Sequence, residues 1–417
     1  MSVPRSTLPV ILLGSTGSIG CQTLEVCGRY GIPVLGLGCQ SSIERLEEQI
    51  RSFHPAAVAV EDRDAARILA DRLAHTPFAD CVVHGGDGAA CRLAGLPGPA
   101  IVVQAMVGMA GIQPVLAAIA AGHKLAIANK EVLVSAGSLV QQACRRAGIV
   151  LRPIDSEHSA IWQALSGSPP REGEPFYAKA ASGDRHPALR RVILTASGGP
   201  FYGSSLAELA AVTPAAAVAH PTWAMGAKIS VDSATMMNKG LEMIEAACLF
   251  GLGAAEIDAV IHPQSIIHSF VEWTDGSVLA QLGFPDMCQP IQFALSYPER
   301  WPHPERRWDP LDPSSSRLDF APLDEAVFPA TALARECLRR GGSHPLALNA
   351  ANEVAVAAFL AGKIAFPAIM AVVTAVLEGR RAGWEEDATE MAQVLELDSE
   401  ARRLAAAAVR GLGTAGN

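Results

Sequence analysis

VILLGSTGSIG, residues 10–20, carries the chain from four consecutive apolar residues into three glycines set three apart. An apolar run of that length closed by glycine predicts a buried strand, and the glycine stretch that follows opens a helix that continues through Glu25. Gly14, Gly17 and Gly20 let the backbone turn tightly and approach a pyrophosphate, whose charge then rests on the helix N-terminus. The spacing is G-x-x-G-x-x-G rather than the commoner G-x-G-x-x-G, so a purely structural glycine turn is the alternative.

Outward from this stretch the same strand signal recurs at Val34–Gly38, Ala56–Val60, Ala100–Val103 and Lys124–Ala128, with helical segments such as Ile43–Phe53 and Pro114–Ala121 between. Alternation of this kind predicts an α/β fold that begins with a Rossmann-like, doubly wound parallel sheet over residues 1–152. A central α/β catalytic domain is expected at 153–299, with a lid loop at about 197–227. The segment from about Gly148 to Glu299 holds strands at Ile149–Pro153 and Arg191–Ala196, a Pro/Gly-rich insertion at Gly167–Pro187, and one helix from about Asp232 to Phe250. A Thr274-Asp275-Gly276 turn between Ile267–Trp273 and Ser277–Leu282 predicts an antiparallel hairpin. A proline- and serine-rich linker follows at 300–322. Ala- and Leu-rich segments at Pro329–Arg340, Pro345–Ala361, Ile364–Arg380 and Ala388–Arg410 predict a C-terminal helical bundle over 323–417.

Composition narrows the function classes. The 417 residues are 50% hydrophobic and 18% charged with a formal charge of −9, which excludes wholesale disorder and argues against nucleic-acid or anionic-membrane partners. Small anions remain accessible to local cations. Nine scattered cysteines without a C-x-x-C pair argue for free thiols in a reducing cytoplasm, and against structural zinc. The charge-free stretch Leu93–Gly122 is interrupted by Pro97, Pro99 and Pro114 and is better a strand, turn and buried helix than a membrane span.

The second strand runs into Gln40-Ser41-Ser42 with no acid before Glu44. An NAD site usually carries an acid there for the ribose diol, so two hydroxyls near Arg45 favour the 2′-phosphate of NADPH; Ser42 as a mere helix cap is the alternative. Asp155-Ser156-Glu157 follows a strand end, where α/β sheets open their ligand crevice. Asn238, Lys239 and Glu242 share one helical face by their i, i+3 and i, i+4 spacing. Asp155, Glu157 and Glu242 together make a hard oxygen set suited to Mg²⁺ or Mn²⁺, the alternative being caps and solvated charges. Lys130 at a strand end suits a substrate oxygen, simple solvation being the alternative; Ser197-Gly-Gly suits the edge of an anion-binding lid; His220 to Gly226 suits a loop closing over a ligand, ordinary loop packing being the alternative.

At this level of detail the chain resembles the 1-deoxy-D-xylulose 5-phosphate reductoisomerases. The matching motifs are GSTGSIG at Gly14, IANKE at Ile127, PIDSEHSAIWQ at Pro153, TASGGPF at Thr195 and HPTWAMGAKISVDSATMMNKGLEMIEA at His220. VIHPQSIIHS at Val260, DGSVLAQLGFPDM at Asp275 and LNAANEVAVAAF at Leu348 follow in the family's order. The resemblance implies that Asp155, Glu157 and Glu242 ligate a divalent cation, Mn²⁺, Mg²⁺ or Co²⁺. It assigns Ser197, Ser233, Asn238 and Lys239, with His220, to the phosphate of a small sugar substrate. Lys130 and Ser156 would contact substrate oxygens near the metal, with Glu157 and Glu242 beside them, and Trp223 would cover the carbon skeleton. Thr16, Gly17, Ser18 and Ile19 would carry the NADPH pyrophosphate, and Asn129, Glu131 and Gly226 the rest of the dinucleotide, while Ser41 and Ser42 are assigned to its 2′-phosphate by their hydroxyls rather than by the resemblance. Lys130 and His220 join the three carboxylates as the catalytic group. Family members often have Gly, then Lys, Arg or Ser, then Asn where this chain has Gln40-Ser41-Ser42, which predicts a weaker preference for NADPH.

The implied activity is rearrangement and NADPH-dependent reduction of 1-deoxy-D-xylulose 5-phosphate to 2-C-methyl-D-erythritol 4-phosphate on the non-mevalonate isoprenoid route, by a cytoplasmic homodimer. Two other readings compete. A plain NADPH-dependent dehydrogenase of a small aldehyde needs no three-carboxylate metal site. A non-catalytic dinucleotide sensor needs neither Lys130 nor Glu242.

Overall fold

The computed structural model describes residues 8–167, 183–219, 226–302, 307–379 and 383–413. In chain order the elements are β1 (Val10–Leu13), α1 (Ser18–Tyr30), β2 (Val34–Cys39), α2 (Ile43–Phe53), β3 (Ala57–Val60), α3 (Arg63–Leu73), β4 (Val82–Gly85), α4 (Ala89–Ala94), β5 (Ile101–Gln104), α5 (Ile112–Ala120), β6 (Lys124–Ile127), α6 (Lys130–Ala147), β7 (Leu151–Pro153) and α7 (Ser156–Ser166). They continue with β8 (Leu189–Ala196), α8 (Leu206–Leu209), α9 (Pro214–Val218), α10 (Ala227–Ala234), α11 (Met237–Phe250), β9 (Ile257–Ile261), β10 (Ile267–Trp273), β11 (Val278–Leu282) and α12 (Cys288–Ser296). Last come α13 (Ala330–Arg340), α14 (His344–Leu360), α15 (Ala368–Glu378) and α16 (Met391–Gly413). The chain divides into two compact units.

The first unit comprises the described residues of Met1–Val132, Val140–Ser159 and Asp286–Glu305. Its seven strands form one parallel sheet in the order β4-β3-β2-β1-β5-β6-β7, the doubly wound arrangement anticipated. All four side chains of β1 are fully buried, each contributing roughly 2 kcal/mol relative to exposure. The strand β4 carries no apolar-run signal because it is an edge strand, half-open to solvent. The helix expected from Pro114 begins two residues earlier, after a 3₁₀ turn at Gly108–Gly111, and Pro114 is its third residue. Late in the chain α12 packs against α1, where Tyr30 donates from its hydroxyl to Gln292 Oε1 at 2.8 Å.

The second unit comprises the described residues of Leu133–Leu139, Ala160–Pro285 and Arg306–Asn417. Its sheet runs β11-β10-β8-β9, with β10 antiparallel to both neighbours and β8 parallel to β9. The hairpin stands where the turn signal placed it, and Asp275 Oδ1 accepts from the Ser277 N–H at 2.8 Å. Helices α11 and α13 to α16 share one apolar core built on Leu241, Ile244, Ala334, Ala351, Phe359 and Val373. The single helix expected from Asp232 to Phe250 is two: Met236 takes φ +63°, ending α10 and starting α11. No glycine or proline marks that break, so no local rule signals it. Within 307–322 the chain forms no helix or strand, and Ala321 bridges Ile261 through two backbone hydrogen bonds. Among the described residues no helix is long and apolar enough to cross a membrane.

Candidate functional site

In the first unit the glycine loop sits at the carboxyl end of β1. Gly14 has φ +86°, and a Cβ there would lie 2.5 Å from the Ala105 carbonyl oxygen. A Cβ on Gly20 would lie 2.3 Å from the Gly14 carbonyl oxygen, so only glycine lets α1 start this close to the turn. Gly17 is the N-cap of α1, and no side chain caps that terminus. The amides of the first turn therefore face outward with the positive end of the helix dipole.

A cleft of about 570 Å³ opens over the loop. Thr16 and Gly17 line it with Gly38 to Gln40 at the end of β2 and Ala105 to Val107 after β5. All belong to carboxyl ends of parallel strands, where such sheets bind ligands. Ser18 and Ile19 form the first turn of α1. Ser41 and Ser42 are exposed between β2 and α2, and Ser42 makes no side-chain cap to α2, so the capping alternative has no bond behind it. Arg45, one turn on, donates from Nη1 to the Thr16 carbonyl at 3.0 Å, tying α2 to the glycine loop. Glu61, at the end of β3, lines the cleft and accepts the Ala90 N–H at 2.7 Å. Burial pushes the thiol of Cys39, also on the wall, up to about 12, so this thiol stays protonated and uncharged. All nine cysteines are free.

Asn129 caps α6: its Oδ1 accepts from the Val132 N–H at 3.2 Å and its Nδ2 donates to the Gly108 carbonyl at 3.0 Å. It thus braces the 106–108 backbone that forms one side of the cleft. The next residue, Lys130, is buried, and its Nζ lies 2.7 Å from Asp155 Oδ2. That pair joins the end of β6 to the end of β7, and Glu131 is buried beside it in the first turn of α6. Ser156 donates from Oγ to Glu157 Oε2 at 2.5 Å in the first turn of α7. His158 is fully buried with Nδ1 3.9 Å from Asp155 Oδ2. From the sequence no histidine is expected to cluster with the three carboxylates; His158 does lie beside Asp155, at an i, i+3 spacing that signals it.

In the second unit Ser197 follows β8 and leads into Gly198 and Gly199, both at positive φ. Ser197 Oγ accepts the Gly199 N–H at 3.3 Å. A Cβ on Gly199 would come within 2.7 Å of the Ser233 carbonyl oxygen, so the glycine loop lies directly against the last turn of α10. On α11 the Asn238 amide and the Lys239 ammonium both donate to the Glu242 carboxylate. Lys239 and Glu242 are 3% and 1% exposed, which makes this a desolvated ion pair on the shared face the spacing predicts. Gly226 is the N-cap of α10. His220 and Trp223 lie outside the described residues.

Comparison with known proteins completes the picture. A family model described as 1-deoxy-D-xylulose 5-phosphate reductoisomerase matches residues 10–137, and one described as that enzyme's C-terminal domain matches 151–250. A third, the DXP reductoisomerase C-terminal domain, matches 282–404. The reductoisomerase of Dechloromonas aromatica is 46% identical over 404 residues, covering 96% of this chain and 97% of its own. The chain belongs to the 1-deoxy-D-xylulose 5-phosphate reductoisomerase family.

The reductoisomerase of Gloeobacter violaceus is 47% identical over 91% of this chain and 92% of its own. Among solved structures, the reductoisomerase from Zymomonas mobilis in complex with NADPH superposes with a TM-score of 0.84 at 39% identity, covering 98% of this chain and 99% of that one. A DOX-P reductoisomerase in complex with NADPH, fosmidomycin and magnesium gives 0.87 at 36%, covering 97% and 98%. These matches support the rearranging reductase and not the plain aldehyde dehydrogenase.

Proposed function

We propose that this reductoisomerase converts 1-deoxy-D-xylulose 5-phosphate to 2-C-methyl-D-erythritol 4-phosphate with NADPH and one divalent cation. The observation that carries the reading is the buried Glu242 carboxylate held between Lys239 and Asn238 on α11, an anion for which a plain dehydrogenase has no use. The solved relatives with NADPH and with magnesium support the cofactors.

The donor set suits the cation. Asp155, Glu157 and Glu242 offer only hard carboxylate oxygens, and we assign all three to one Mg²⁺ or Mn²⁺. When bound, the metal supplies a Lewis acid and template for the ketose carbonyl and its neighbouring hydroxyl, and NADPH supplies the hydride. The protein's own groups do the rest. Lys130 orients Asp155 through their 2.7 Å pair and presents its ammonium to substrate oxygens. The Ser156 hydroxyl orients Glu157 in the same way. Ser197, Ser233, Asn238 and Lys239 hold the phosphate, which takes no part in the bond changes, so that its binding energy orients the substrate. His220 and Trp223 are assigned to the substrate by the family resemblance alone. Thr16, Gly17, Ser18 and Ile19 carry the dinucleotide pyrophosphate, and Asn129, Glu131 and Gly226 complete that site.

Addition of deoxyxylulose phosphate to enzyme and NADPH should oxidise the cofactor only while a divalent cation is present; turnover unaffected by a chelator would contradict the proposal. Ser41 and Ser42 are assigned to the 2′-phosphate. Ser42→Asp should then raise the KM for NADPH about tenfold through like-charge repulsion while sparing NADH. Steady-state kinetics with both cofactors checks this, and unaltered selectivity would move recognition elsewhere. We further assign the chain to the cytoplasm and to a homodimer. The edge strand β11, with Val278 and Leu279 exposed, offers the surface, and sedimentation equilibrium at twice 43.6 kDa is the expected reading.

A further inference from the structure

The block Leu348–Phe359, LNAANEVAVAAF, matches the family closely, yet no substrate, metal or cofactor role falls on it. It forms most of α14, whose core-facing residues include two asparagines, Asn349 and Asn352, both with no exposed surface. A fully buried amide costs free energy unless its hydrogen bonds offset the lost water. Asn352 donates from Nδ2 to Asp232 Oδ1 at 2.8 Å. Among the described residues its own Oδ1 has no hydrogen-bond partner, so the amide is kept for the one bond it donates.

Asp232 lies in the last turn of α10 and is 1% exposed. Its second oxygen lies 2.7 Å from Lys228 Nζ, one turn earlier on the same helix. Ser233 is the next residue, and the αL break at Met236 starts α11 with Asn238, Lys239 and Glu242 three to seven residues beyond Asp232's turn partner Thr235. Apolar packing of an eight-residue helix sets its depth but leaves rotation about its axis weakly fixed. A charge-assisted hydrogen bond in a dry interior is directional and short, and it pins that rotation.

We propose that Asn352 is a positioning residue for the phosphate site. Through Asp232 it fixes the rotation of the last turn of α10, and so sets the Ser233 hydroxyl in register with Asn238 and Lys239. The helical bundle thereby acts on substrate affinity without touching substrate. The inference rests on the assignment of Ser233, Asn238 and Lys239 to the phosphate.

The test compares four variants of the full-length enzyme: Asn352→Ala, Asn352→Asp, the exchange Asn352→Asp with Asp232→Asn, and Ser233→Ala. Each is measured for kcat, for KM with deoxyxylulose phosphate and with NADPH, and for melting temperature. Asn352→Ala should raise the sugar-phosphate KM about tenfold, the usual worth of one hydrogen bond to a charged group, and leave the NADPH KM unchanged. Asn352→Asp should do worse, because two carboxylates then face each other, and the exchange should restore most of the lost affinity. A sugar-phosphate KM within twofold of the parent in Asn352→Ala, or equal rises in both KM values, overturns the proposal. If the single variants do not fold, the exchange decides: a parental sugar-phosphate KM supports the role, and a raised one at parental melting temperature overturns it. An unchanged sugar-phosphate KM in Ser233→Ala would instead overturn the phosphate assignment itself.

Discussion

Glu242→Gln should lower kcat with deoxyxylulose phosphate by roughly three orders of magnitude, about 4 kcal/mol of transition-state stabilisation, while NADPH affinity stays within a few-fold of the parent. The substitution is nearly isosteric, so α11 keeps its packing, but Asn238 and Lys239 donate to different carboxylate oxygens, and the single amide oxygen of glutamine keeps only one of those bonds. What is lost is one negative charge in a desolvated site, where a charge has its largest effect. Single-turnover kinetics over a range of Mn²⁺ concentrations, with separate fluorescence titration of NADPH, distinguishes a metal ligand from a general structural loss. Full activity at ordinary metal concentration would remove Glu242 from the metal's coordination.

The second large effect is expected at the glycine loop. Gly14→Ala places a methyl group 2.5 Å from the Ala105 carbonyl oxygen on a backbone held at φ +86°. Overpacking and a left-handed non-glycine residue together predict a destabilisation of roughly 3 kcal/mol, equivalent to a fall in melting temperature of about 10 °C. NADPH affinity should fall as well, because the loop proposed to cradle the pyrophosphate must shift. Calorimetry of the variant with and without NADPH checks both. A melting temperature within two degrees of the parent, or undiminished stabilisation by NADPH, would show that the loop tolerates the shift.

Much of the architecture was legible because local and tertiary preferences agree. The run Val10–Leu13 is apolar at every position because β1 is covered on both faces, and Ile43–Phe53 is helical in pattern and in fact. The edge strand β4 escaped because solvent removes the need for an apolar run. The break at Met236 escaped because an αL methionine obeys no local rule; tertiary packing holds it. The site was legible where its residues share one helix, as Asn238, Lys239 and Glu242 do. The Lys130–Asp155 pair was not, since it joins the ends of two strands, and Asn352 meets Asp232 only through contact between helices far apart in the chain.

Whether Asp155, Glu157 and Glu242 hold one dication is read by titrating metal-free enzyme with Mn²⁺ and following free ion by electron paramagnetic resonance. The prediction is one tight site per chain, weakened at least tenfold in both Asp155→Asn and Glu242→Gln, the lower end of what altering a metal site costs. Undiminished Mn²⁺ binding in either variant would contradict it.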